Sequence, residues 1–242
     1  MTSDERKTET FFDHLSQADQ PTGLGAALVK RAARRIWATA SPAPGSRILE
    51  IGPGRGDFAD LCLAQQMDYH AIEPNRQLAD TLRQRGATVT CERVPPVPSV
   101  EGKFDLVVMI NVMEHMSGME QALQTATQVR DVLKPGGRFL IHCPDYLSWR
   151  THFFNCDFSH NYVTTRRRLS QLLINAGYAS TESCYLSGPF GGPAAVLLAA
   201  LASHLPFGAL ESLWPNNRLI SRLFKLQLTF SRRVIVVGQN AA

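Results

Sequence analysis

The run Phe104–Ile110 (FDLVVMI) constrains the fold more than any other part of this 242-residue chain. It has the length and composition of a strand, with no 3.6-residue period. Its apolar character is nearly continuous instead of alternating. Such a strand must be covered on both faces, which is the situation of a central strand in a parallel sheet. Parallel neighbours need crossover connections, usually helices. The flanking sequence supplies both partners and crossovers. Short apolar strands are expected at Arg47–Ile51, Tyr69–Ile72, Ala87–Cys91 and Arg138–Cys143, with helices at Asp57–Gln66, Gln77–Arg85 and Gln121–Leu133. A helix at Arg166–Ala176, closed by Gly177, precedes strand-like segments at 178–187 and Arg233–Gln239. The expected fold class is therefore α/β: a doubly wound, mostly parallel seven-stranded sheet with helices on both faces.

Ahead of this core, residues 24–40 form an amphipathic helix. Leu24, Leu28, Ile36 and Trp37 are expected on its inner face, and Lys30, Arg31, Arg34 and Arg35 outside. The Pro/Gly/Ser segment 41–46 (SPAPGS) ends it. Phe11, Phe12 and Leu15 fall at helical spacing in the leader. The expected division is a helical cap at 1–46, the core at 47–187, an apolar helical insertion at 188–231, and the last strand with its tail at 232–242.

Charge and cysteine content narrow the function classes. A net charge of +4 permits an anionic substrate or membrane surface without demanding nucleic acid, so no nucleic-acid partner is expected. The five cysteines, Cys62, Cys91, Cys143, Cys156 and Cys184, are odd in number and lack CxxC spacing. That pattern fits a reduced, cytoplasmic protein. The polar start MTSDERKTET has no apolar signal core, and no run reaches the ~18 consecutive apolar residues of a spanning helix.

The chemistry begins at Glu50-Ile51-Gly52-Pro53-Gly54-Arg55-Gly56, directly after a strand and before a helix. Glycines there let the backbone turn tightly and approach a ligand closely. Glu73, at the end of the second strand and 17 positions beyond Gly56, stands where a carboxylate can accept both hydroxyls of a ribose. The segments ILEIGPGRG, AIEPN, FDLVVMINVMEHM and LKPGGRFLI, all within residues 47–143, resemble the class I S-adenosylmethionine-dependent methyltransferases, which have a Rossmann-like fold. The resemblance implies S-adenosyl-L-methionine as cofactor. Its methionine part would lie on Glu50, Gly52, Pro53, Gly54 and Gly56. Its ribose would lie on Glu73 beside Pro74, and its adenine near Cys91 and Glu92. Asn111, Val112 and Met113 would line the same pocket. A nicotinamide-dependent oxidoreductase is the enzymatic rival. Its loop is usually GxGxxG, whereas here the spacing is Gly52-x-Gly54-x-Gly56. A fold that kept its cofactor and lost turnover is the non-enzymatic rival.

Asn111-Val112-Met113-Glu114 replaces the Asn/Asp-Pro-Pro-aromatic motif of relatives that methylate nucleic-acid amino groups. The Glu114-His115 pair resembles quinone-precursor O-methyltransferases, some of which hold a divalent metal near this position. The earlier acidic positions are Asn111 and Met113 here, so no metal is expected. A second cluster follows the fifth strand at 144–168. Within it Asp157 is expected to orient His160 as a general base, with His115 as a further catalytic candidate. Asp145, Tyr146, Trp149 and Tyr162 are the substrate-binding candidates. The pattern DxSH…T…L..LL..AG resembles methyltransferases linked to surface polysaccharides. A small-molecule or saccharide/lipid-precursor acceptor, methylated on oxygen, is expected. Arg166–Arg168 open a helix against its dipole and suit an anionic substrate group or a solvated face. The apolar insertion reads as a lid or homodimer element ahead of a peripheral membrane segment.

Overall fold

The structure is a computed structural model that describes residues 23–241; Phe11, Phe12 and Leu15 fall outside them. In chain order the core elements are α1 (Gly23–Ala40), β1 (Arg47–Ile51), α2 (Asp57–Ala64), β2 (Asp68–Ile72), α3 (Arg76–Gln84), β3 (Thr88–Thr90), β4 (Phe104–Ile110), a 3₁₀ turn (Met113–His115), α4 (Met119–Val132) and β5 (Leu133–Pro144). Short helices α5 (Tyr146–Trp149) and α6 (His152–Asn155) lead to α7 (Arg166–Asn175), β6 (Ser180–Ser187) and β7 (Phe190–Gly191). The insertion then folds as α8 (Gly192–Ser203), α9 (Phe207–Leu213) and α10 (Arg218–Phe230), before β8 (Arg233–Gln239).

The sheet order is β3-β2-β1-β4-β5-β8-β6-β7. Strands β1 to β5 are parallel, while β8 runs antiparallel between β5 and β6. The expected seven strands are joined by a two-residue eighth, β7, at the edge. As expected for β4, alternate side chains enter two different cores. Val107 and Met109 pack with α4 and α7 residues such as Ala126 and Leu169, while Leu106 and Val108 pack with Ile36 of α1 and Phe58 of α2.

Several details differ from the sequence expectation. Strand β5 starts at Leu133, not Arg138, because Leu133 already pairs with Phe104. The register then jumps to Leu106–Arg138, so the Lys-Pro-Gly-Gly segment is a bulge inside the strand. Lys134 anchors it, with Nζ 2.8 and 2.9 Å from the two Asp105 carboxylate oxygens. Leu24 is 70% exposed and does not join the inner face of α1. Gly192–Leu213 has the length and mean hydropathy (1.6) of a membrane-crossing segment, only 22% of it buried, although no run of 18 consecutive apolar residues exists. It is folded as two helices separated at 204–206, where Pro206 precedes α9.

Candidate active site

The carboxyl ends of β1, β2 and β4 open onto a cavity of about 1010 Å³, walled on the other side by Leu28, Val29, Ala33 and Ile36 of α1. Open α/β sheets bind ligands at this edge. The glycine loop forms one wall. Gly52, Gly54 and Gly56 all adopt positive φ, at +70°, +56° and +84°. A Cβ on Gly52 would sit 2.6 Å from Val112 Cγ2, whereas one on Gly54 would meet nothing within 4 Å. Gly52 therefore permits close approach of the loop to the segment after β4, and Gly54 leaves its backbone open to the cavity. Gly56 does not line the cavity; it caps α2, and a Cβ there would be 2.6 Å from Leu82 Cδ2.

Two buried carboxyl groups face this space. Glu73 accepts from the N–H of Gly54 at 3.1 Å and of Asn75 at 2.9 Å. Burial raises its pKa despite those two donors. Glu50 is more extreme. Burial pushes it up to about 8, although the Tyr69 hydroxyl donates to it at 2.6 Å. At neutral pH it is mostly the uncharged acid. A cation arriving beside it would favour the ionised form.

Pro53, Pro74, Glu92, Asn111 and Val112 also line the cavity. Cys91 does not; its thiol lies 3.8 Å from the Pro74 carbonyl oxygen. Met113 is fully buried in the core below. The volume, the open glycine backbone and the paired acids fit S-adenosyl-L-methionine. Glu73 would hold its ribose, and Glu50 with the loop its methionine part.

The catalytic candidates are brought together in an arrangement other than the expected one. Asp157 does not orient His160. Its Oδ1 accepts from the Ser159 hydroxyl at 2.6 Å and the Ser159 N–H at 2.9 Å, and Ser159 Oγ lies 2.8 Å from His115 Nδ1. His115, Asp157 and Ser159 all line the cavity, whereas His160 does not. His160 Nδ1 donates to the Phe153 carbonyl at 2.6 Å, and its ring lies 4.9 Å from that of His115. The physical reason is the turn at 157–160, which folds the Asp157 carboxylate back onto the N–H two residues on. Burial and the neighbouring His160 hold the His115 pKa below its ordinary value, against the pull of Asp157. Ser159 was missed from the sequence; its position between the two candidates in DFSH was the available signal.

Glu114, His115 and His160 place donor atoms within 4.8 Å of one another. Burial pushes Glu114 up to about 7. Neither Glu114 nor His160 lines the cavity, and His160 Nδ1 is committed to Phe153. This cluster knits the site from beneath: the Glu114 carbonyl accepts from the N–H groups of Asn161 and Tyr162, both at 3.0 Å, tying the turn after β4 to the segment after α6.

None of the four substrate-binding candidates lines the cavity. Asp145 is fully buried, caps α5 and pairs with Arg232 Nε at 2.6 Å. Trp149 Nε1 donates to the Arg232 carbonyl at 2.9 Å. Tyr162 is buried under the Arg168 guanidinium, 5.0 Å from its ring centroid. Tyr146 meets Phe153 and Phe154 edge-on. Arg232, just ahead of β8, and Arg233 at its start draw Asp145 and Trp149 into their own packing. Asp145→Ala is expected to cost about 2–3 kcal/mol of stability, the range for a charged hydrogen bond, in urea unfolding, with turnover of the folded protein within a few-fold of wild type. A loss of turnover without a loss of stability would return Asp145 to the substrate site. Arg166 and Arg168 lie over the rings of Tyr185 and Tyr162. That stacking accounts for basic residues at a helix start.

The fold and this cavity define an α/β domain with a ligand-sized space at the carboxyl edge of its sheet. Comparison with known proteins makes the class specific. A family model described as a methyltransferase domain matches residues 25–183. An uncharacterized protein of Mycobacterium tuberculosis (strain H37Rv) is 28% identical over 154 residues, 59% of this chain and 51% of that protein. The chain thus spans about half the length of such relatives. A stretch of 100 residues is 29% identical to a probable tRNA methyltransferase 9B of Mus musculus, covering 41% of this chain and 22% of that one. Among solved structures, the N-methyltransferase NodS of Bradyrhizobium japonicum, in complex with S-adenosyl-L-homocysteine, aligns with a TM-score of 0.65 at 14% identity, over 96% of this chain and 97% of that one. The chain belongs to the methyltransferase-domain family, and it has the fold of S-adenosyl-L-methionine-dependent methyltransferases. The oxidoreductase reading is thereby set aside.

This assignment carries a test of Glu50. Binding of S-adenosyl-L-homocysteine at pH 7 is expected to release most of one proton, because the ligand's ammonium favours the carboxylate of a group otherwise titrating at about 8. Calorimetric enthalpies should therefore vary with the ionisation enthalpy of the buffer. Buffer-independent enthalpies would place Glu50 away from the ammonium.

Proposed function

We propose that the protein methylates a hydroxyl group of a small molecule or saccharide/lipid precursor in a reducing, cytoplasmic setting, with His115 as general base. The observation that carries this reading is the Asp157–Ser159–His115 chain at the cavity wall. When bound, the cofactor supplies a methyl group already activated by its sulfonium. The protein's tasks are then to align the acceptor and to take its proton. Ser159 donates to the Asp157 carboxylate, so its oxygen is left to accept from His115 Nδ1–H. The imidazole would then take the acceptor's proton. Asp157 then offsets the charge that develops on the ring. A hydroxyl acceptor needs such a base more than an amine does, since a neutral amine already presents a lone pair. The five unpaired cysteines support the reducing compartment.

The test is transfer of labelled methyl to hydroxyl-bearing acceptors, with the product bond identified by mass spectrometry and NMR. Turnover should rise with pH along an acid limb below 6.5, since the neutral imidazole is the base and its pKa lies under that value. Asp157→Asn should lower kcat and move the limb to still lower pH, because the carboxylate is what pulls the His115 pKa up. An N-methyl product, or a limb unmoved by Asp157→Asn, would overturn the reading.

A further inference from the structure

The insertion is built the wrong way round for a helix that meets only water. In α8 the residues packed onto the fold are alanines, Ala195, Ala199 and Ala202, all buried. The residues turned outward are larger: Val196, Leu197 and Leu201, exposed by 47%, 63% and 60%. Positions 196, 197, 200 and 201 fall on one helical face, and α8 contains no charged residue. Leu213, Trp214 and Leu219, at the end of α9 and the start of α10, are likewise more than half exposed. Soluble domains seldom leave such a surface uncovered unless it meets something.

We propose that this face docks onto an anionic phospholipid bilayer, lying in the headgroup region without crossing it. The charge pattern selects this occupant. On α10, Arg218, Arg222 and Lys225 are exposed among the leucines. The neighbouring α1, joined to the insertion by the hydrogen bond from Arg35 Nε to the Pro189 carbonyl, exposes Lys30, Arg31, Arg34 and Arg35. Across α1 and residues 188–233 the sole acid is Glu211. A second copy meeting the same face across a two-fold axis would bring these cations together. A lid would turn its leucines inward, yet Gly188 and Thr229 are the insertion residues in the cavity wall. Interfacial elements combine leucine and tryptophan with lysine and arginine in this way. Crossing is opposed by the break at 204–206 and by Gln227, whose Nε2 ties α10 to the carbonyls of Ala202 and Leu205. Because the insertion also contributes to the cavity wall, docking would hold the active site beside the headgroups.

Co-sedimentation of the full chain with phosphatidylglycerol vesicles, and with phosphatidylcholine vesicles in parallel, tests this. Each basic residue near an anionic surface strengthens partition roughly five-fold. Binding to the anionic vesicles should exceed the neutral ones by at least about ten-fold and weaken with salt. Arg218→Ala/Arg222→Ala should lower it at least about ten-fold, and Leu197→Glu/Leu201→Glu should abolish it. Both pairs should keep the wild-type Tm and affinity for S-adenosyl-L-homocysteine, which separates failure here from failure of the methyltransfer reading. Absence of vesicle binding, or binding retained by the leucine pair, overturns the proposal. So does a dimer in analytical ultracentrifugation without lipid that the leucine pair dissociates, since the face would then belong to a second copy.

Discussion

Gly54→Val is expected to abolish binding of S-adenosyl-L-homocysteine, weakening it by at least about 100-fold, or roughly 2.7 kcal/mol. Two costs add. The backbone sits at φ +56°, where a β-branched residue carries strain of roughly 1–2 kcal/mol. The new side chain meets no protein atom within 4 Å of its Cβ, so it would project into the cavity and occupy ligand space. Gly54→Ala should show the strain with less occlusion and so fall between wild type and valine. Calorimetric titration reads affinity, and a melting curve reads the strain. Wild-type affinity in the valine variant would mean that the loop does not hold the cofactor.

His115→Ala should lower kcat by about 10²- to 10⁴-fold, the range for a lost general base, with cofactor affinity changed by only a few-fold. The acid limb of the pH profile should vanish with it, because a merely structural histidine would not set that limb. His160→Ala makes the contrasting control. Its Nδ1 bond to the Phe153 carbonyl and its burial predict a loss of stability, with turnover of the folded fraction close to wild type. A large kcat loss at His160 with none at His115 would reverse the two roles.

The core elements were legible because local signals and tertiary placement agreed. An apolar FDLVVMI run can satisfy both its faces only inside a covered sheet, and β4 sits there. The glycine loop was legible because positive φ at Gly52, Gly54 and Gly56 leaves few other residues tolerable. The bulge at Lys134–Gly137 escaped because Pro and Gly read locally as a stop, while pairing of Leu133 with Phe104 is a long-range event. The packing of Asp145 and Trp149 escaped for a related reason. Both are residue types that suit a site, but their partner Arg232 arrives from more than 80 residues away, just ahead of β8.

The sheet, its glycine turn and the acids at the ends of β1 and β2 follow from local sequence, because strand periodicity and backbone sterics act over a few residues. The sequence also supplied the three side chains Asp157, His160 and His115. Which histidine faces the cavity depends instead on long-range packing. The turn at 157–160 spends the Asp157 carboxylate on Ser159, and Ser159 in turn reaches His115, 44 positions earlier. The same holds for the insertion. Its apolar composition was plain, but that alanines pack inward and leucines outward on α8 depends on which face of the helix the sheet leaves room for.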